Sequence, residues 1–207
     1  MIERWGWLRG SYYYLMRALG KYCGLVVCHL FARPILLPDS GTDLGPGREI
    51  RILTKEQLLA FSDDPALQMD KAFIETADSR GDACCGVLEE GRLVAYVWRT
   101  FVATAHGDEL FVDFNEKCRY GYKSLTLPAY RGQRLQILIS EYTDKYLTRG
   151  RQFHIFFVET HNFPSIVAVK KEDAVVVGHA GYWKLFGRYF CFRSTGAARY
   201  GFRFFVP

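Results

Sequence analysis

The apolar residues of this chain change their period at Gly132. Upstream, from Ala83 to Leu127, they come in short runs of the kind that pleated strands bury. Downstream, Leu135, Leu138, Ile139, Tyr142 and Tyr146 fall at steps of three and four and mark one face of a helix that Gly150 closes. The switch happens inside LPAYRGQRLQ, residues 127–136, so a strand must end, turn at Arg131-Gly132 and feed directly into a helix. That restricts the chain to folds in which helices pack against a sheet.

The flanking segments extend the pattern. Residues 4–22 carry apolar residues at Trp5, Leu8, Tyr12, Leu15, Leu19 and Tyr22, one helical face with arginines and Lys21 beside it. Such a helix caps a core in one reading and lies on an anionic membrane in another. Gly24 to Leu37 reads as an extended segment, 39–47 as a turn-rich connector and EIRIL (49–53) as a strand. Thr54 with Gln57 has capping-box spacing, and Asp70 begins a second helix ended by Gly81. Two apolar runs flank Glu89-Glu90-Gly91, a hairpin signal; ELFVDF (109–114) and YGYKSLTL (120–127) are further strands. FHIFFVET (153–160) is a buried strand, Asn162 starts a short helix with Pro164 in its first turn, and residues 174–192 form two strands around Gly187. This order predicts an α/β fold, a mixed sheet with helices on both faces. Residues 1–38 are expected to be a basic N-terminal extension and 39–207 the main domain.

With 49% hydrophobic residues the chain can bury a substantial core, and disorder is excluded as a class. Aromatics, at 16%, fill that core or line an apolar pocket. The net charge of +5 is uneven: residues 1–38 hold five bases against Glu3, and 174–207 hold five bases and no acid. Basic ends suit an anionic partner, whether a phosphate-bearing cofactor, an acidic carrier protein, a membrane surface or nucleic acid; solvated surface charge explains them equally. The aromatics interleaved with bases in YWKLFGRYFCFR follow from strand alternation, and no nucleic-acid motif accompanies them. The six cysteines form no CxxC pair and read as reduced thiols of a cytoplasmic protein. His29, His106, His154 and His179 have no partner at metal-ligand spacing, so no metal is expected. The run Cys23 to Phe31 is too short to span a bilayer, and no signal peptide is evident.

The turn at Arg131-Gly132 is the site-bearing feature. Amides at a helix N-terminus point outward and the helix dipole is positive there, so phosphate fits such an end. Arg131 and Arg134 add forked donors. LPAYRGQRLQILI resembles the cofactor signature of the GNAT superfamily of acyltransferases, approximately V-x-P-x-x-R-G-x-G-[IL]-[GA] followed by a helix. Leu125, Leu127-Pro128, Arg131-Gly132 and Leu135 match its spacing, and Asn162 with Ser165 resembles the second signature, N-x-x-[AS]. The order of elements from Glu49 to Phe192 agrees. The resemblance implies a mostly antiparallel GNAT-like sheet and direct acyl transfer from a pantetheine thioester to a primary amine. It implies that Leu125 and Leu127 present backbone groups to pantetheine. The amides of Arg131, Gly132, Gln133, Arg134, Leu135 and Gln136 would hold phosphate, and Asn162 would contact the pantetheine arm.

Three positions depart from the family pattern. The second glycine of the signature is Arg134 and its third small residue is Gln136, which narrow the loop; as a helical residue, Arg134 is expected to need no positive φ. Two donors follow: acyl-CoA, or an acyl carrier protein whose pantetheine carries one phosphate and whose acidic surface suits the basic ends. The second case resembles the synthases of long-chain N-acyl amino acids. The tyrosine that the family often places seven residues after the Asn is Val169 here. The amine must lose a proton, and Glu159 and His161, at the end of the fifth strand of the family pattern, are the candidate bases, Glu159 first; Asp113, Tyr120 and Tyr122 are further candidates. His161 capping the next helix, or Glu159 pairing with an arginine, are the structural alternatives. A non-catalytic or membrane-associated thioester-binding module on the same fold is the competing function.

Overall fold

The structure is a computed structural model and describes residues 5–36, 44–107, 109–170 and 173–207. Along the chain come helix α1 (Trp7–Cys23), strands β1 (Leu25–Pro34) and β2 (Arg48–Leu53), and helices α2 (Lys55–Phe61) and α3 (Lys71–Ser79). Strands β3 (Ala83–Glu89), β4 (Arg92–Thr100), β5 (Thr104–Ala105), β6 (Phe111–Asp113) and β7 (Cys118–Thr126) follow. Then come α4 (Leu135–Tyr146), β8 (Phe153–Glu159), α5 (Phe163–Val169), β9 (Val175–Leu185), β10 (Arg188–Arg193), α6 (Thr195–Arg199) and β11 (Arg203–Phe205). This is the expected α/β class, with strand pairing mostly antiparallel. Of the expected connector, residues 39–43 lie outside the described residues.

The chain divides into two compact units. One comprises residues 34–102 and 116–154. In it β2, β3, β4 and β7 run antiparallel in that order. The first residues of β8 belong to it too, where the Gln152 and Phe153 amides donate to the Lys117 carbonyl at 2.8 and 3.0 Å. β3 and β4 turn at Glu90 and Gly91, both at positive φ, the mirror-image turn that matches strand twist. Nearly all of β3 and β4 is buried, the mark of strands covered on both faces. Their residues join Leu58, Ile74 and Ala77 of the two short helices and Leu135 and Ile139 of α4 in one core. The expected caps form: Thr54 and Gln57 satisfy each other's backbone N–H groups, and Asp70 Oδ1 accepts from the Phe73 amide at 2.8 Å.

The helix α4 is held at its far end by an arginine with no solvent exposure. Arg119 of β7 donates to the carbonyls of Thr143 and Leu147 at 2.7 and 2.9 Å and to Asp144 Oδ1 at 2.6 Å. The Thr143 carbonyl also accepts from the Leu147 amide at 2.9 Å, whereas the Leu147 carbonyl lies past the helical ladder, so one guanidinium supplies its donor and neutralises the negative end of the dipole.

The other unit comprises residues 1–33, 103–115 and 155–207. Its strand order is β10-β9-β1-β8, so a strand from near the start of the chain lies between two from its last third. β1 pairs antiparallel with β9, with Leu25 opposite Trp183 and His29 opposite His179. The histidines read as isolated in sequence therefore meet, with ring centroids 4.9 Å apart. A second, small sheet runs β11-β6-β5, and His106, Phe157, Tyr182 and Phe204 pack together beside it. α6 and β11 had no signal in the sequence; five and three residues are too short to display a period.

Helix α1 corrects one expectation. The apolar stripe read from Trp5 to Tyr22 does not form its inner face: Gly10 and Met16 are buried, whereas Leu8, Leu15 and Tyr22 face solvent. The stripe straddles the edge of the contact, because inward packing uses Trp5, Tyr12 and Tyr13 against the segment after β8.

Candidate functional site

In the first unit, β7 carries one extra residue. Trp98 pairs with Lys123 and Arg99 with Gly121, which leaves Tyr122 unopposed as a bulge. Its hydroxyl turns to Asp82 and donates to Oδ2 at 2.9 Å, where Arg80 also binds at 2.6 Å. Burial first, then the Asp82 carboxylate, raises the Tyr122 pKa far above the usual phenol range. β7 then runs out through Leu125, opposite Tyr96, to Leu127, whose amide donates to the Val94 carbonyl at 3.0 Å.

Pro128–Tyr130 form one tight turn after the strand. Tyr130 donates its hydroxyl to Glu89, which also receives Arg48 Nε at 2.8 Å. The Tyr130 hydrogen bond, then Arg48, lowers the Glu89 pKa, so the pin is a carboxylate. The loop proceeds through Arg131 (φ −68°, ψ 150°) and Gly132 (φ +82°) to Arg134 (φ +59°, ψ +14°). The Ile137 and Leu138 amides donate to the Arg134 carbonyl at 2.9 and 3.1 Å. The amides of Gly132 to Gln136 thus stand outside the helical ladder of α4, at its positive end. The Arg131 amide does not join them as expected, because the tight turn before it engages it: it donates to the Pro128 carbonyl at 3.3 Å. The side chains of Arg131, Gln133 and Arg134 are exposed, while Leu135 is buried and seats the helix.

The conformation of Arg134 differs from the expectation. It is the N-cap of α4 and lies in the left-handed region, so this position does require positive φ. Glycine takes that conformation without strain, whereas an L-residue there costs roughly 1 kcal/mol. The side chain of Gln136, expected only to narrow the loop, turns back onto the strand instead. Its Nε2 donates to the Leu125 carbonyl and to Thr126 Oγ1, both at 2.9 Å, and lies 3.4 Å from the Tyr96 carbonyl. A side chain therefore takes one backbone group that the resemblance assigns to pantetheine.

The remaining candidates fall in the second unit. His161 Nε2 lies 3.3 Å from Glu159 Oε2, and His161 Nδ1 is buried with no hydrogen-bond partner among the described residues. Glu159 thus pairs with His161 rather than with an arginine. Asn162, not His161, caps α5: its Oδ1 accepts from the Ser165 amide at 3.3 Å. Helix α1 covers this segment. Tyr12 donates to Thr160 Oγ1 at 2.6 Å, the Tyr13 ring lies 5.7 Å from that of His161, and Trp5 and Tyr12 flank Phe163. The roles of Tyr12 and Tyr13 were invisible in the sequence, because nothing in a helical stripe says which strand end it will cover.

The other candidate bases are engaged. Asp113 binds Arg203 at 2.8 and 3.0 Å, Tyr120 is buried, and Tyr122 is tied to Asp82. Among the described residues no group of three or more His, Cys, Asp or Glu side chains is placed to hold a metal ion.

No family model and no curated protein matches the sequence. Solved structures do. A Drosophila protein superimposes over 86% of this chain and 58% of its own, with TM-score 0.55 and 15% identity. A tandem GNAT protein from the clavulanic acid biosynthesis pathway matches 86% of this chain and 57% of its own, with TM-score 0.54 and 14% identity. A GNAT-family acetyltransferase from Colwellia psychrerythraea matches 81% and 56%, with TM-score 0.51 and 15% identity. The chain spans little more than half the length of each. At these identities the likeness is one of fold.

Proposed function

Because the chain has the fold of the GNAT acyltransferases, we propose that it is an N-acyltransferase that moves an acyl group from a pantetheine thioester to a primary amine of a small molecule. The observation that carries this reading is the loop at the start of α4: amides from Gly132 to Gln136 outside the helical ladder, a helix dipole and two exposed arginines directly after a strand. These groups would take the donor's phosphate, with acyl-CoA as the donor.

The chemistry asks little covalent work of the protein. The amine nitrogen attacks the thioester carbonyl, the C–N bond forms, the C–S bond breaks and thiolate leaves. The ammonium proton must go to a base, and Glu159 is the assigned acceptor, with its carboxylate oriented by His161. A second donor, an acyl carrier protein, is supported by one specific observation: Arg134 puts an exposed side chain where the signature keeps a glycine, which suits one phosphate better than a pyrophosphate.

The test is thiol release by the full chain from acyl-CoA thioesters of graded length, with a panel of amines, beside matched carrier-protein thioesters. Amine-dependent release is expected, and Glu159→Gln should lower kcat at saturating amine by roughly a hundredfold. Release from neither donor class would overturn the reading. A strong preference for CoA would remove the carrier-protein alternative.

A further inference from the structure

The outer face of α1 is apolar. Trp7 is 70% exposed, Leu8 78% and Tyr22 77%, with Tyr14 and Leu15 between them. Arg17 and Lys21 flank this face, and no acidic residue occurs from Trp7 to Cys23. Single exposed apolar residues are ordinary, but five on one helical face form a continuous patch.

A second apolar feature adjoins it within the same unit. α1 ends at Gly24 (φ +64°), where an added Cβ would lie 2.9 Å from Lys184 Cβ, so the helix end is pressed onto β9. The pairing of Leu25 with Trp183 carries the β9–β10 turn past the first residue of β1 and beside that helix end. Phe186 at the turn is 95% exposed. Trp183 and Phe190, paired across the two strands, and Phe192 share one face of the hairpin and are all exposed, with Arg188 on the same face. Lys184 points to the other face, where it binds Glu109 at 3.2 Å. No acid occurs from Ala174 to Pro207.

The two features have one composition: Trp, Tyr, Phe and Leu facing out, arginine and lysine at the margin, and no carboxylate among them. That matches a surface that is apolar within and negative at its boundary, where aromatic rings settle at headgroup level and bases meet anionic headgroups. No described helix is long and apolar enough to cross a membrane, so α1 would lie in the interface. We propose that the outer face of α1 and the tip of the β9–β10 hairpin dock this protein on an anionic lipid bilayer.

The test is sedimentation of the full chain with phosphatidylcholine vesicles, with and without phosphatidylglycerol, at two salt concentrations. Binding is expected only to the anionic vesicles and should weaken as salt rises. Leu15→Glu and Phe186→Glu should each lower partitioning by roughly tenfold. Their melting temperatures should match that of the parent, since both side chains are exposed. Equal binding to neutral and anionic vesicles, binding to neither, or binding that both substitutions leave intact would overturn the proposal. So would a dimer in sedimentation velocity that both substitutions dissolve, with no vesicle binding; that result would assign the patch to a second copy of the chain.

Discussion

Gln136 reaches back from the first turn of α4 and donates its side-chain amide to the Leu125 carbonyl of β7 at 2.9 Å. Helix start and strand end are thereby tied by a side chain at the place where the family signature keeps a small residue. Replacing Gln136 by Ala removes this bond and the one to Thr126 Oγ1. A loss of about 1–2 kcal/mol in urea unfolding is expected from two hydrogen bonds. Freeing the Leu125 carbonyl should also lower KM for the acyl donor several-fold with kcat little changed, which steady-state kinetics would show. An unchanged KM would separate this carbonyl from donor binding.

Arg134 holds a backbone conformation that costs an L-residue roughly 1 kcal/mol, and glycine would relieve it at a smaller entropic cost in the unfolded chain. Arg134→Gly is therefore expected to raise the melting temperature by roughly 1–2 °C. It should also shift the ratio of kcat/KM between CoA and carrier-protein donors towards CoA. Calorimetry and paired donor assays check the two halves separately.

The Arg119–Asp144 pair is buried, and a buried charge that loses its partner is costly. Asp144→Ala should destabilise the protein by about 3–5 kcal/mol in urea unfolding. Because Arg119 also holds the carbonyls that end α4, hydrogen exchange should speed up in the last turn of that helix before it does in β3 and β4.

His106 sits among Phe157, Tyr182 and Phe204, and burial lowers its pKa from the ordinary 6.5. The folded state then binds fewer protons than the unfolded chain at mildly acidic pH, so stability rises with pH in that range. The contribution is fully present above about pH 6.5 and is lost as pH falls from there through the folded pKa. His29, lowered first by burial and then by His179 and Lys170, adds in the same direction. Melting temperature should fall between pH 7.5 and 5.5, and His106→Phe should flatten that slope. An equally steep slope in the variant would place its origin elsewhere.

What could be read from the sequence was what repeats or what a cap encodes. The long helix after Gly132, the Glu90-Gly91 turn, the Thr54 box and the Asn162 cap each carry a local signal that the structure preserves. The placement of β1 between β8 and β9 could not be read, since a strand's neighbours are chosen by distant residues. The same holds for the site. The loop residues were legible as a group, but the φ of Arg134 and the reach of Gln136 depend on how α4 leaves the strand. The approach of Tyr12 to Thr160 depends on which face of α1 turns inward, and the stripe that includes Tyr12 also holds Leu8, Leu15 and Tyr22, which face solvent.

The position of β1 also bears on the order in which the chain acquires structure. Residues 34–102 and 116–154 can complete their strands from near neighbours, whereas Leu25 must wait for Trp183 before its ladder exists. Contacts so remote in sequence are slow to form, because loop closure precedes any gain from them. A chain growing from its N-terminus would therefore present β1 with no antiparallel partner until Val175 to Trp183 had been made. Helix α1 would wait in the same way for Thr160 and Phe163 before its inner side was covered.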